Sequence, residues 1–208
     1  MDIIEALNWR YAVKQFDPTR KLTYEQLDRI TEALRLTATS MGMQLMHFFV
    51  VENHELKKEM RKVSFGQSQV EDASHMIVMC RRAEVLQSDI EDIIEAAVTS
   101  KKASREELKG YQTMISSTIT MEESMRNNWM DNQVYIALGN LMTVCAAEQI
   151  DACPMEGFNK NALDELLGLP EKGWNAVVMC AIGYRSKDDK YAVLPKARKN
   201  KEKLISHI

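Results

Sequence analysis

The chain has 208 residues, 45% of them hydrophobic and 27% charged, with a net charge of −3. That length buries a substantial core in one large domain. So near-balanced a charge argues against a nucleic-acid or membrane-surface protein, because no basic field is present, and any anion site must be local, built from a few placed cations.

The opening "MDIIEALNWR" carries Asp2 and Glu5 where a secretory apolar core would stand, and no apolar run reaches the length of a membrane span. Ile3, Ile4 and Leu7 predict a short amphipathic helix. "RYAVKQF" then sets Arg10 and Lys14 four residues apart, with no acid inside the stretch to pair with either. Two readings stand, a solvated helix end or part of an anion site. "TYEQLDRITEALRL" predicts a helix entered through a capping box of Thr23 and Gln26 and carried by Leu27, Ile30 and Leu34.

"TSMGMQ", Thr39 to Gln44, reads as a connecting loop. Its hydroxyls, glycine and amide suit hydrogen bonding to a phosphate or a polar ring edge, and equally an ordinary capped turn. "HFFVVE" is a buried strand by content, and "NHELKKEMRKV" a helix entered at Asn53. "HMIVMCR" and "WNAVVMCAIGYR" are near-continuous apolar runs, as expected of strands covered on both faces.

Residues 86–127 are polar, weakly periodic and helical in propensity, a helical excursion from the sheet. In "NWMDNQVYIALGNLMTVCAAEQ", Met130, Val134, Leu138, Leu141 and Cys145 recur at helical intervals with further apolar residues opposite, which predicts a central helix buried nearly all round. "CPMEGF" reads as a loop in which Gly157, lacking a Cβ, lets the backbone approach a flat ligand, or as a plain turn. The tail 186–208 is charged and proline-marked, expected to wrap a surface or a partner. Its Lys196 and Arg198 lie on one side if the chain is extended, though a merely charged tail has the same composition.

Strands separated by helices indicate a layered domain of α/β type. Cys80, Cys145, Cys153 and Cys180 are widely spaced and read as reduced structural thiols of a cytoplasmic protein, with no metal site. The 14 methionines fill a core or line a soft pocket. Neither G-x-G-x-x-G, a P-loop nor G-x-S-x-G occurs, and His47 and His75 open apolar strands where a structural role is expected. An enzyme of this composition would rely on a held cofactor for its chemistry.

In this order, five segments resemble those of the nitroreductase family of FMN-dependent NAD(P)H oxidoreductases. "RYAVKQF" resembles the N-terminal R-R/H-S-x-R/K-x-F signature and "TSMGMQLMHFFVVEN" the S-S-x-G/N-x-Q-P-W/Y-x-F loop and strand. "SFGQSQVEDASHMIVMC" is similar to the segment that follows, "QVYIALGNLMTVCAAEQIDACPMEGF" to the central helix and flavin loop, and "LPKARK" to the C-terminal K-x-R. The likeness covers nearly the whole chain and is nearest to members resembling the minor bacterial nitroreductases and dihydropteridine-reductase-like proteins.

The resemblance implies a single α+β domain over 1–208, a three-layer α/β/α arrangement with a central mixed sheet, in an intertwined homodimer whose tail wraps the partner subunit. It implies two interfacial FMN sites and NADH or NADPH as electron donor. Arg10, Lys196 and Arg198 would hold the ribityl phosphate, with Tyr11 and Ala12 beside them, and Lys14 would lie near the pyrimidine side of the isoalloxazine. Thr39, Ser40, Gly42 and Gln44 would come from the other subunit, and Gln67 and Gln69 would bond the ring or ribityl. Pro154, Met155, Glu156 and Gly157 would form the loop reaching flavin N5. Met41, Met43, Met114 and Ile115 are the expected lining of the acceptor pocket.

Two departures bear on the acceptor: Ala12 stands where the pattern has Ser, and Leu45-Met46 where it has Pro and an aromatic. The implied activity is a ping-pong reduction of a small-molecule acceptor, a nitroaromatic or quinone, with no acid or base side chain needed. Reduction of pteridines or other conjugated acceptors, and flavin storage or sensing without turnover, are the alternatives.

Overall fold

In the computed structural model, which describes residues 2–101 and 103–208, side-chain caps set where the helices begin. Helix α1 (Ile3–Trp9) starts at Asp2, whose carboxylate accepts from the N–H groups of Ile4 and Glu5, and Glu5 reaches back to close a capping box. Helix α2 (Tyr24–Arg35) starts at Thr23 with the same reciprocal pair to Gln26. Strand β1 (Met46–Val51) leads to α3 (His54–Val63), capped by Asn53, and to the short α4 (Gln69–Asp72) before β2 (His75–Arg82). Helices α5 (Gln87–Lys101) and α6 (Lys109–Ser116) make up the excursion, and α7 (Glu123–Ala147) follows. Strand β3 (Asp151–Met155), α8 (Lys160–Leu167) and β4 (Trp174–Gly183) complete the order.

The sheet runs β1-β2-β4-β3, and every ladder between these strands is antiparallel. The pattern-level reading of an α/β domain is therefore corrected to α+β. The parallel pairing of a mixed sheet is confined to one isolated bridge, Ala12 to Ala152. The loop expected at Cys153–Met155 is also corrected, since these residues form the edge strand β3. Pro154 fits there because an edge strand leaves one side free of ladder bonds.

Two apolar clusters cover the two faces. Met76, Val78 and Cys80 point into one, with Met60 of α3 and Leu163 of α8. Ile77 and Met79 point into the other, with Ile30 and Leu34 of α2 and Val134, Leu138 and Leu141 of α7. The alternation is what a two-faced strand requires. On β4 it is interrupted where the register shifts between Met79 and Cys80: Val177 is skipped in the pairing and shares a cluster with Val178. The result is three layers, helix, sheet and helix.

A third cluster belongs to the excursion. Ile90 and Ile94 of α5, Ile115 of α6 and Met130 of α7 pack with Met43, Leu45 and Val85. The inner face of α7 is buried as expected, yet Tyr135 and Ile136 on its outer face are 39% and 50% exposed. An all-round burial of α7 is thus corrected to one buried face in a single chain. No described helix is long and apolar enough to cross a membrane.

Candidate functional site

Helix α1 stops at Arg10, whose φ of −70° and ψ of 144° turn the chain extended. From there Ala12 bridges Ala152 and Phe16 bridges Arg185, so "RYAVKQF" lies along the sheet edge and not on a helix end. A spacing of four keeps Arg10 and Lys14 on one side in an extended chain as well. Arg10 Nη2 lies 3.8 Å from Met142 Sδ of α7, and Lys14 Nζ 3.7 Å from Cys153 Sγ of β3. The tail returns over this segment: Lys196 Nζ donates to the Arg10 carbonyl, and Arg198 Nη1 to that of Ala197 at 2.6 Å.

Arg10, Tyr11, Ala12, Lys196 and Arg198 line one cavity of about 460 Å³, with Trp9 and Leu194 among its other walls. Among the described residues none of Arg10, Lys14, Lys196 and Arg198 is in an ion pair. Arg10 Nε is buried with no hydrogen-bond partner, a costly arrangement for a charged donor. Burial pushes the Lys196 ammonium below its ordinary pKa, and the neighbouring Arg10, Arg198 and Arg185 push it the same way. The cavity thus gathers cations and leaves donors unpaired, the disposition that binds a multivalent oxyanion.

Arg185 holds the strand end beside it. Its guanidinium stacks 4.2 Å from the Trp9 ring centroid and 4.6 Å from that of Tyr11, and it pairs with buried Asp151 at 2.6 Å.

A second group forms around the end of β3. Gln67 Nε2 donates to the Gly157 carbonyl at 2.6 Å and to that of Ser64 at 3.1 Å, while Gln69 Nε2 donates to Gln67 Oε1 at 3.1 Å. Both amides therefore brace the loop after Met155. A Cβ on Gly157 would stand 3.1 Å from Gln67 Nε2, a close approach that the Gln67 amide would have to yield to. Tyr135 Oη donates to Glu156 Oε1 at 2.6 Å and ties the same loop to α7; burial, and then this carboxylate, push its pKa up to about 12.

The loop Thr39–Gln44 lies elsewhere. Met41, Gly42 and Gln44 line a cavity of about 870 Å³ against α5 and α6, together with Ile93, Leu108 and Tyr111. Met41, Gly42 and Gln44 all have positive φ, 51°, 63° and 49°, and two of them carry side chains that tolerate it poorly. Ser40 N–H donates to Gln133 Oε1 at 2.6 Å, Tyr111 Oη to the Met41 carbonyl at 2.6 Å, and the Gln44 amide to the Arg35 carbonyl at 2.8 Å. Thr39 Oγ1 accepts from Gln44 N–H at 3.2 Å.

Two residues expected on the acceptor pocket are buried in this chain. Ile115 is 0% exposed and Met43 5%, because helix periodicity turns Ile115 inward onto the third cluster and leaves its neighbour Met114 48% exposed. The brace residues Tyr111, Gln133 and Tyr135 carry no motif that sequence reading could have used, being an aromatic or an amide at a helical position like many others. His75 is buried and hydrogen-bonded to Ser74 at 2.9 Å, and His47 stacks on Trp174 at 5.0 Å.

Residues 7–184 match the family model described as the nitroreductase family. The chain belongs to this family. It is 30% identical to the oxygen-insensitive NAD(P)H nitroreductase of Salmonella typhimurium, over 100% of both chains. It is 31% identical to the enzyme of the same name from Enterobacter cloacae, over 95% of each. A crystal structure from Exiguobacterium sibiricum, determined in complex with FMN, shares the fold of this nitroreductase-family chain. Its TM-score is 0.86 at 22% identity, with 100% of this chain and 98% of that one covered.

Proposed function

We propose that the chain is an FMN-dependent NAD(P)H oxidoreductase that reduces nitroaromatics and quinones by a ping-pong cycle. The observation that carries this reading is the convergence of Arg10, Lys196 and Arg198 on one cavity with no acid among its walls and with Arg10 Nε buried and unpartnered. A phosphate monoester supplies the oxygens those donors lack. Bound FMN supplies two-electron chemistry between a nicotinamide and an acceptor.

This chain's residues bind and orient. Arg10, Lys196 and Arg198 hold the phosphate end. Lys14, on the same side of the strand, sets a cation beside the electron-accepting part of the ring system. The Pro154–Gly157 backbone, braced by Gln67 and Gln69, presents the N–H groups of Met155, Glu156 and Gly157 toward the ring. No acid or base side chain is required of the protein.

A second copy of the chain completes the site in this reading, bringing Thr39, Ser40, Gly42 and Gln44. The support is apolar surface left open on one chain: Ile3, Ile4 and Leu7 on α1, Tyr135 and Ile136 on α7, and Val193, Leu194 and Leu204 on the tail. Burial of such a face by a partner is the usual basis of an obligate homodimer. Four free cysteines, all buried, suit the cytoplasm, where thiols stay reduced.

Titrating the purified protein with FMN and following its absorbance under NADH or NADPH tests the reading. Bound flavin bleached by a nicotinamide and recoloured by a nitroaromatic or quinone is the expected result. A protein that takes up no FMN excludes it.

A further inference from the structure

The cation strand and the cation-bearing tail are joined at a single carboxylate. Asp189 is 3% exposed, in the turn that begins the tail. Its Oδ2 accepts from the Tyr11 hydroxyl at 3.1 Å, from Lys14 N–H at 2.9 Å and from Gln15 N–H at 3.2 Å. Its Oδ1 accepts from Tyr191 N–H at 3.0 Å. The strand and turn are pinned again by Ser186 N–H, which donates to the Gln15 carbonyl at 2.8 Å.

We infer that Asp189 is a positioning residue for phosphate recognition, a clasp that fixes the separation between Arg10 on the strand and Lys196 and Arg198 on the tail. The inference rests on the flavin reading above and names what makes its phosphate end selective. From Asp189 the tail runs seven residues to Lys196, whose Nζ returns to the Arg10 carbonyl and closes a ring of contacts around the cavity. With the clasp released, Ser186 N–H on the Gln15 carbonyl would still pin the start of the turn, and beyond it the Lys196 contact to Arg10 would be the hydrogen bond left between tail and strand.

The chemistry of the carboxylate fits this role better than that of a counterion. A buried acid beside several cations would ordinarily pair with one and offset the field an incoming phosphate needs. Asp189 makes no ion pair among the described residues, and its lone pairs are taken by three N–H groups and one hydroxyl. Arg10, Lys14, Lys196 and Arg198 keep their charges for a ligand. The Tyr11 hydroxyl has one proton and gives it to Asp189, so it cannot donate to a phosphate at the same time.

The test compares the affinity of the full-length protein for FMN with that for riboflavin, which lacks the phosphate, in the wild type, Asp189→Asn and Tyr11→Phe. Asp189→Asn removes the charge and one of the two acceptor oxygens, so the side chain can no longer accept from both the strand donors and Tyr191 N–H. The expected result is that the FMN preference over riboflavin falls about tenfold, the equivalent of one charge-assisted hydrogen bond, with riboflavin binding little changed. Tyr11→Phe removes one of the four donors and lowers the preference in the same direction, by about twofold to threefold. A residue that only stabilised the fold would weaken both flavins alike, so an unchanged preference in Asp189→Asn overturns the clasp. Should that variant not fold, an unchanged preference in Tyr11→Phe overturns it. A wild type that binds neither flavin overturns the FMN reading and the clasp together, whereas a wild type that prefers FMN while both variants keep that preference overturns the clasp alone.

Discussion

Lys14 Nζ lies 3.7 Å from Cys153 Sγ, across the junction of the extended Arg10–Phe16 segment and β3. The thiol is buried and pushed above its ordinary pKa by that burial, so it stays neutral and offers the ammonium only a weak acceptor. Lys14 is therefore a cation held in place without being neutralised.

Lys14→Met should retain FMN, because the phosphate end is held by other residues, and should lower the flavin midpoint potential. Loss of one nearby cation corresponds to about 30 mV for a two-electron couple, or ~1.4 kcal/mol. Spectroelectrochemical titration measures the shift, and stopped-flow reduction by NADH or NADPH should slow with it. An unchanged potential would remove Lys14 from the ring's environment.

Arg198→Ala should act at the other end. It deletes a charge-assisted contact to phosphate, worth roughly 1.5–3 kcal/mol, and so weakens FMN about tenfold to a hundredfold. Isothermal titration of the apoprotein reads this directly, and the potential of whatever flavin remains bound should match the wild type.

Gly183→Ala tests the packing beneath the sheet. A Cβ there would stand 2.8 Å from the backbone nitrogen of Ser74 and 3.2 Å from the Phe16 ring. Backbone cannot swing aside as a side chain can, so urea unfolding should show a loss of about 1–3 kcal/mol.

Lys57 gives stability a pH dependence of its own. It is fully buried, and its Nζ donates to the Ala73 and Ser74 carbonyls; burial, and then Lys21, lower its pKa from 10.5 to about 8. Between these values the unfolded chain holds a proton that the folded chain has released. Stability therefore rises with pH from about 8 to 10.5, at no more than ~1.4 kcal/mol per unit from this group. Denaturation midpoints across that range should lose this rising component in Lys57→Met.

Tyr111→Phe should loosen Met41–Gln44 without unfolding the protein. The hydroxyl's bond to the Met41 carbonyl is one of few that hold a segment in which Met41, Gly42 and Gln44 are all left-handed. Hydrogen exchange at Gly42–Gln44 should quicken several-fold while the midpoint of global unfolding moves little. Unchanged exchange would assign the restraint to Gln133 instead.

Much of this was legible in the residues because the signals are local. The Thr23–Gln26 capping box, the Asn53 cap and the alternation along His75–Arg82 each declare themselves within a few positions. Strand β3 was not legible, since Pro154 argues against a strand until the sheet order shows it at an edge. Arg10 and Lys14 were visible as unpaired cations, but Asp189 was not visible as their anchor. One acid in "SKDDKY" looks like the other, and only the fold buries Asp189 and leaves Asp188 exposed. The roles of Gln67 and Gln69 also depended on where Gly157 returns, 90 residues later for Gln67.

The separate core of the excursion governs how this chain can change. Ile90, Ile94, Ile115 and Met130 pack among themselves and with the Met43–Leu45 loop, not with either face of the sheet. A unit of that kind can open and close with a free energy smaller than that of the whole domain. It can also be reshaped without disturbing the two clusters that hold the strands. Substitutions can therefore accumulate in residues 86–127 while Arg10 and Lys14 stay where the sheet edge puts them.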